Sequence, residues 1–165
     1  MMQARIRQMS LVAVVALGLV VVLGGTALAQ SSNSEVGTWK LNVAKSKFSP
    51  GTAAKSRIIK IEAAGAGIKQ TTDEVAEDGT ARHAASTGNY DGKDVPMVGN
   101  SANGDMVART RINATTTKTV WKKNGKITVT STAVISNDGK TRTSTTKGTD
   151  ALGHTTDNVL VYDKQ

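Results

Sequence analysis

From residue 36 onward, short β-branched runs recur about every ten residues, separated by Gly-containing turn pairs. Asn124-Gly125 divides TTTKTVWKK from KITVTSTAVIS, and Asn137-Asp138-Gly139 divides that run from KTRTSTTKG. Glu77-Asp78-Gly79 and Asp91-Gly92 punctuate the first half in the same way. Asn-Gly and Asp-Gly supply the positive φ angles of tight hairpin turns, whose twist matches that of the flanking strands. No segment keeps a helical period over three turns. The pattern predicts an all-β domain, an antiparallel up-and-down meander of about 8–9 strands. Closing it into a barrel removes the exposed edges that invite aggregation. A β-sandwich is the alternative.

The expected strands are Val36–Asn42, Arg57–Ala63, Ile68–Ala76, Ala81–Tyr90, Met106–Ile112, Thr115–Lys123, Lys126–Ser136, Lys140–Gly148 and Asn158–Lys164. Ala44–Ser56, with Ser49-Pro50-Gly51, reads as a long connection. Lys93–Asp105 holds Pro96, Gly99 and Gly104 and reads as an edge strand or irregular loop, because Pro removes a ladder donor. The second half places Thr115, Thr117 and Thr119 on one strand face, with Trp121 continuing it. Thr128, Thr130 and Thr132 form a second Thr face, and Thr141, Thr143 and Thr145 a third. Thr suits the pleat through its branched side chain. Such faces serve either as a solvated exterior or as a partly polar barrel lumen.

The N-terminus sets the compartment expected for this domain. Arg5 and Arg7 precede an unbroken apolar run, Leu11 to Leu23, and Ala27-Leu28-Ala29 follows as a small-residue cleavage site. That order describes a removable secretory signal over residues 1–29. The run is shorter than the roughly 20 residues of a membrane span. The next residue is Gln30, not Cys, so a lipid anchor is not expected. The mature chain begins at Gln30 in this reading, with a flexible start over 30–35 and a single barrel domain over 36–165. The expected location is periplasmic or secreted. With both signal arginines removed, the mature charge is about +6. That favours weak contact with anionic polymers without specifying a partner.

The absence of cysteine excludes disulfides, thiolate catalysis and cysteine-based zinc sites. The core is lean: 22 Leu, Ile, Val and Phe residues lie between Gln30 and Gln165. The two histidines, His83 and His154, have no partner at metal-ligand spacing. No G-x-S-x-G elbow, P-loop, G-x-G-x-x-G or calcium loop is present. The chain therefore reads as a non-enzyme with no metal and no cofactor. Lys118, Lys122, Lys123 and Lys126 cluster around the Asn124-Gly125 turn. Without aromatic platforms they read as a solvated hairpin tip rather than a specific nucleic-acid site.

Gly37-Thr38-Trp39, placed on the first strand, resembles the G-x-W of the lipocalins and the related fatty-acid-binding proteins. The string GTWKL, the segment WKKNGK at 121–126 and the final VLVYDK at 159–164 extend the likeness. The resemblance implies a lipocalin-like (calycin) barrel with Trp39 packed across one end. Two departures stand out. Where the fatty-acid-binding pattern has an Arg two residues before its Tyr, this chain has Leu160 before Tyr162. The connection that would hold a helical lid is too short. GTWKLNVAKSKFSPG, YDGKDVP, DGKTRTSTTKGTD and VLVYDK also resemble a group of small exported bacterial proteins, which implies an extracytoplasmic setting and adds no mechanism.

The expected function is the binding of a small apolar or amphipathic ligand in the barrel mouth, where concave, mostly apolar sites are common. Aromatic side chains give the most contact area, so Trp39, Tyr90, Trp121 and Tyr162 are the candidate ligand-binding residues. With Leu160 in place of a guanidinium, no strong preference for a free acid over its alcohol is expected. The alternative is a non-enzymatic envelope or extracellular interaction protein that uses a basic surface and has no cavity.

Overall fold

The computed structural model describes residues 33–51 and 53–165. The expected signal segment and residues 30–32 lie outside them. The described chain forms eleven strands in one antiparallel sheet. They are β1 (Gly37–Leu41), β2 (Ser56–Ala64), β3 (Gly67–Val75), β4 (Ala81–Gly88), β5 (Asp91–Pro96), β6 (Val98–Gly99), β7 (Met106–Arg111), β8 (Thr116–Lys123), β9 (Lys126–Ile135), β10 (Thr141–Thr149) and β11 (Thr155–Lys164). Strands β1 to β4 and β7 to β11 pair in chain order, and β11 returns to pair with β1. The architecture is a nearly closed up-and-down barrel, not a sandwich. Among the described residues the only helical element is a 3-10 turn, Val43–Lys45, and no helix is long and apolar enough to cross a membrane.

The expected count of eight to nine strands is low, and the reason lies in residues 89–99. The turn falls before Asp91, so Asp91-Gly92 opens β5 instead of ending β4. The segment read as an edge strand or irregular loop holds two short edge strands. β5 pairs with β7 at one edge of the sheet, and β6 pairs with β4 at the other. These short strands draw the two edges together. Pro96 sits at the end of β5, where a missing donor is tolerated. Gly99, at φ +94°, lies directly against the His83 carbonyl, so only a residue without Cβ fits there. The Asn100 side chain and backbone continue the seam along β4, both bonding to His83.

Asn124 and Gly125 both have positive φ (51° and 75°), as a two-residue hairpin between β8 and β9 requires. Strand alternation then sorts side chains to two faces. One end of the interior is apolar: Trp39, Leu41, Ile59, Ile61, Ile68, Ile135, Leu160 and Tyr162 form a single buried cluster. Each fully buried Ile contributes about 1.5–3 kcal/mol, so this cluster is the main source of stability. Residues 33–36 join this end. The Trp39 indole donates to the Glu35 carbonyl (2.8 Å), and Ser34 donates to the Ala114 carbonyl (2.8 Å). The Glu35 backbone N–H donates to Asn33 Oδ1 (3.2 Å), and Glu35 is only 2% exposed.

The three Thr faces divide. Thr117 and Thr119 are buried and point into the lumen. On β9 and β10 the inward positions belong to Val129, Ser131 and Ala133 and to Arg142 and Ser144, which leaves the Thr runs outside.

Candidate functional site

A cavity of about 630 Å³ adjoins the apolar cluster and shares Leu160 and Tyr162 with it. Its mouth is framed by Pro50-Gly51, Glu77-Asp78, Asn100–Asn103 and Asp150 with His154. The lining mixes apolar, polar and charged groups, with the carboxylates of Glu74, Glu77, Asp78 and Asp150 alongside three arginines. Gln70, Thr72, Ser131, Ser144, Thr146 and Asn158 supply hydroxyls and amides, and Arg57, Arg82 and Arg142 supply charge.

The arginines reach the interior by strand parity. Arg57 alternates with buried Ile59 and Ile61, Arg82 with Ala84 and Ser86, and Arg109 and Arg111 with Val107. Arg142 alternates with Ser144. Three of the five meet a carboxylate. Arg57 Nε donates to Glu74 Oε2 (2.6 Å), Arg82 Nη1 donates to Glu74 Oε1 (3.2 Å), and Arg111 lies 3.8 Å from Glu35. Burial works against the charge on Arg57, yet Tyr162 and Glu74 outweigh it and raise its pKa. Arg109 and Arg142 differ from these three. Arg109 is 3% exposed and bonds Ser86 Oγ (2.8 Å); Arg142 is 8% exposed and bonds Ser144 Oγ (2.8 Å). Neither forms an ion pair with a described residue, and Arg109 Nη1 and Arg142 Nε are buried without a partner. Burial pulls the Arg109 pKa down to about 10, the positive charge of Arg142 adding to the effect and Glu35 opposing it. It remains protonated at neutral pH.

The four candidate aromatics separate into two pairs. Tyr162 and Trp121 line the cavity. Tyr162 accepts from Arg57 Nη1 (3.3 Å), and the Arg142 guanidinium lies 5.6 Å from its ring centroid. Trp121 sits where the β8–β9 register shifts, between Val120 and Lys122. Trp39 is wholly buried in the apolar cluster, with Lys164 Nζ 5.0 Å from its ring centroid, and does not line the cavity. Tyr90 also lies apart from the cavity, in the network at the apolar end. Its hydroxyl donates to Glu35 Oε2 (2.7 Å) and accepts from Asn33 Nδ2 (2.9 Å), while the Arg111 guanidinium stacks 3.8 Å from its ring centroid. Burial first, and the Glu35 charge second, push the Tyr90 hydroxyl up to about 12.

The guanidinium missing at Leu160 is supplied from other strands: Arg142 is the register partner of Tyr162 across β10–β11, and Arg57 comes from β2. Parity was the available signal for both, since each shares a face with buried neighbours. Their convergence on Tyr162 depends on cross-strand register, which spacing within one strand does not encode.

The remaining chemistry-bearing residues are dispersed. His83 pairs with Asp73 (2.6 Å) on the exposed surface, and His154 pairs with Asp150 (3.2 Å) at the mouth. Among the described residues no group of three His, Cys, Asp or Glu side chains could hold a metal ion. In the basic hairpin, Lys122 pairs with Asp94 (2.6 Å) and Lys123 with Asp105 (3.4 Å). No protein-family profile matches the chain, and no curated protein matches it in sequence.

Proposed function

We propose that this chain is an exported small-molecule-binding protein of the lipocalin-like kind, which holds an amphipathic ligand in its barrel with the negatively charged end inward. The observation that carries this reading is Arg142, a guanidinium at the cavity lining beside Tyr162 with no carboxylate partner. A buried unpaired charge is destabilising, and a folded domain retains one where something else compensates it. The volume of about 630 Å³ falls in the range of small-molecule sites. Trp121 and Leu160 offer apolar contact within the same lining. The N-terminal signal pattern supports a periplasmic or secreted location.

Lys122 and Lys123 in the densest basic cluster are already matched by acidic neighbours, which favours the cavity over the basic surface as the binding element. Native mass spectrometry of mature protein purified from its own secretory route tests the reading. A co-purifying anionic molecule of a few hundred daltons is expected, released by acid. A ligand-free spectrum, together with no affinity for added amphipathic anions, contradicts it.

A further inference from the structure

We infer that the cavity takes an acidic sugar, a ring bearing one carboxylate and several hydroxyls, in preference to a plain alkyl carboxylate. This rests on the ligand-binding reading above and narrows it.

One wall of the cavity is set by strand register. Arg142 pairs with Tyr162, Ser144 with Leu160, and Thr146 with Asn158, all across β10 and β11. On its other side Thr146 pairs with Ser131 of β9. All of these residues line the cavity. They form three successive rungs, spaced about 6.4–6.8 Å apart by the two-residue repeat of a strand. The first rung abuts the apolar cluster, because Tyr162 belongs to it and Arg142 also pairs with Ile135. The third leads toward Asp150 at the mouth. Charge is thus innermost on this wall, and hydroxyls and an amide follow it outward.

The groups left open on the wall are donors. Arg142 is 8% exposed and its Nε has no partner. Ser144 accepts from Arg142 (2.8 Å) and Ser131 accepts from Thr146 (3.1 Å), which leaves both serine protons to give. Asn158 spends its Oδ1 on the Ser49 N–H (2.8 Å) and keeps its amide protons. Acceptors stand elsewhere in the same lining. Gln70 donates to Thr72 (3.3 Å) and keeps its Oε1, and Glu77 and Asp78 hold carboxylates at the mouth. Glu74 is spent on Arg57 and Arg82.

A plain alkyl carboxylate answers Arg142 and nothing beyond it. Its chain would cover Ser144 and Ser131, which are 3% and 5% exposed, without bonding to either. A site that hydrogen-bonds hydroxyls discriminates strongly against an analogue that lacks them, since its own polar groups are left unpaired. Sugar hydroxyls both donate and accept, so they match a lining that presents both kinds of group. The mouth carboxylates repel negative charge near them, which sets the single acid group inward, on Arg142. Trp121 adds apolar surface for the C–H face of the ring.

Calorimetry of the mature protein with octyl glucuronide, octanoate, octyl glucoside and glucuronate tests this. Octyl glucuronide should bind at least about tenfold more tightly than octanoate, which lacks the hydroxyls, and than octyl glucoside, which lacks the acid. Ser131→Ala combined with Ser144→Ala should weaken octyl glucuronide about tenfold and move octanoate by less than about threefold. The comparison of probes uses the wild-type chain, so it stands if the variant fails to fold. Glucuronate within about tenfold of octyl glucuronide assigns the site to a free or chain-end sugar acid, and binding that needs the octyl group assigns it to a glycolipid. Octanoate binding as tightly as octyl glucuronide overturns the inference and leaves the ligand-binding reading intact. Octyl glucoside binding as tightly removes the acid from the site and overturns both. Heat signals absent for all four probes overturn the inference, and the ligand-binding reading falls with it only if native mass spectrometry also finds no anion.

Discussion

The two ends of the barrel interior share strands and obey opposite rules. At the end near Trp39, inward positions carry Ile59, Ile61, Ile68, Ile135 and Leu160, and every large side chain touches others of its kind. Around the cavity, β2, β3, β4 and β10 turn Arg57, Glu74, Arg82, Arg142 and Thr146 inward around open volume. The first region lowers the free energy of folding. The second raises it wherever a guanidinium is buried without a counter-charge. A domain with so few large apolar residues tolerates that penalty only because the apolar end is tightly closed, and the location of the penalty marks where a ligand would act.

The largest test of this contrast is Trp39→Ala. Removing a fully buried indole that also bonds the Glu35 carbonyl should destabilise the domain by about 3–5 kcal/mol in a urea titration. A loss below about 1 kcal/mol would show that the apolar end does not carry the stability. Glu74→Gln comes next. It leaves Arg57 and Arg82 facing each other across a neutral amide and should cost about 1–3 kcal/mol, read in the same titration. An unchanged midpoint would mean that solvent screens the pair. Arg109→Met should act in the opposite direction: it removes a buried charge that forms no ion pair and should raise stability by about 1 kcal/mol in ligand-free protein. A loss of similar size would mean that Glu35 compensates Arg109 from a distance.

The smallest effect concerns pH. Burial, and after it the charge of Glu35, holds the Tyr90 hydroxyl up to about 12, whereas an unfolded tyrosine ionises near 10.0. Between those values the unfolded state binds fewer protons than the folded one. The contribution is therefore full below pH 10 and is lost as pH rises through about 12. Tyrosinate absorbance should show a late phase near pH 12 that disappears in Tyr90→Phe. A single transition near 10.0 would place Tyr90 in solvent.

Much of this was legible in the residues. Asn124-Gly125 announced its hairpin, and the alternating runs of β2 and β9 announced which face is buried. The pairing of the two short edge strands at 91–99 was not legible, because short pieces on opposite edges of a sheet have no periodicity of their own. Aromatic content pointed to Tyr162 and Trp121 as cavity residues, but it treated Trp39 and Tyr90 alike, and these belong to the apolar end. The arginine cluster was missed for a related reason. Each Arg stands in a polar-looking run, such as TRTS at 141–144, and only strand register brings Arg142 beside Tyr162.

The division of the interior is most directly tested by the two indole N–H signals of the chain in a nitrogen–proton correlation spectrum recorded during a titration with octyl glucuronide. Trp121 lines the cavity, and Trp39 is sealed in the apolar cluster with its N–H bonded to Glu35. The account predicts that the Trp121 signal shifts in a saturable way while the Trp39 signal stays fixed and resists hydrogen exchange. A Trp39 shift equal to or larger than that of Trp121, or rapid exchange of the Trp39 proton, would contradict it.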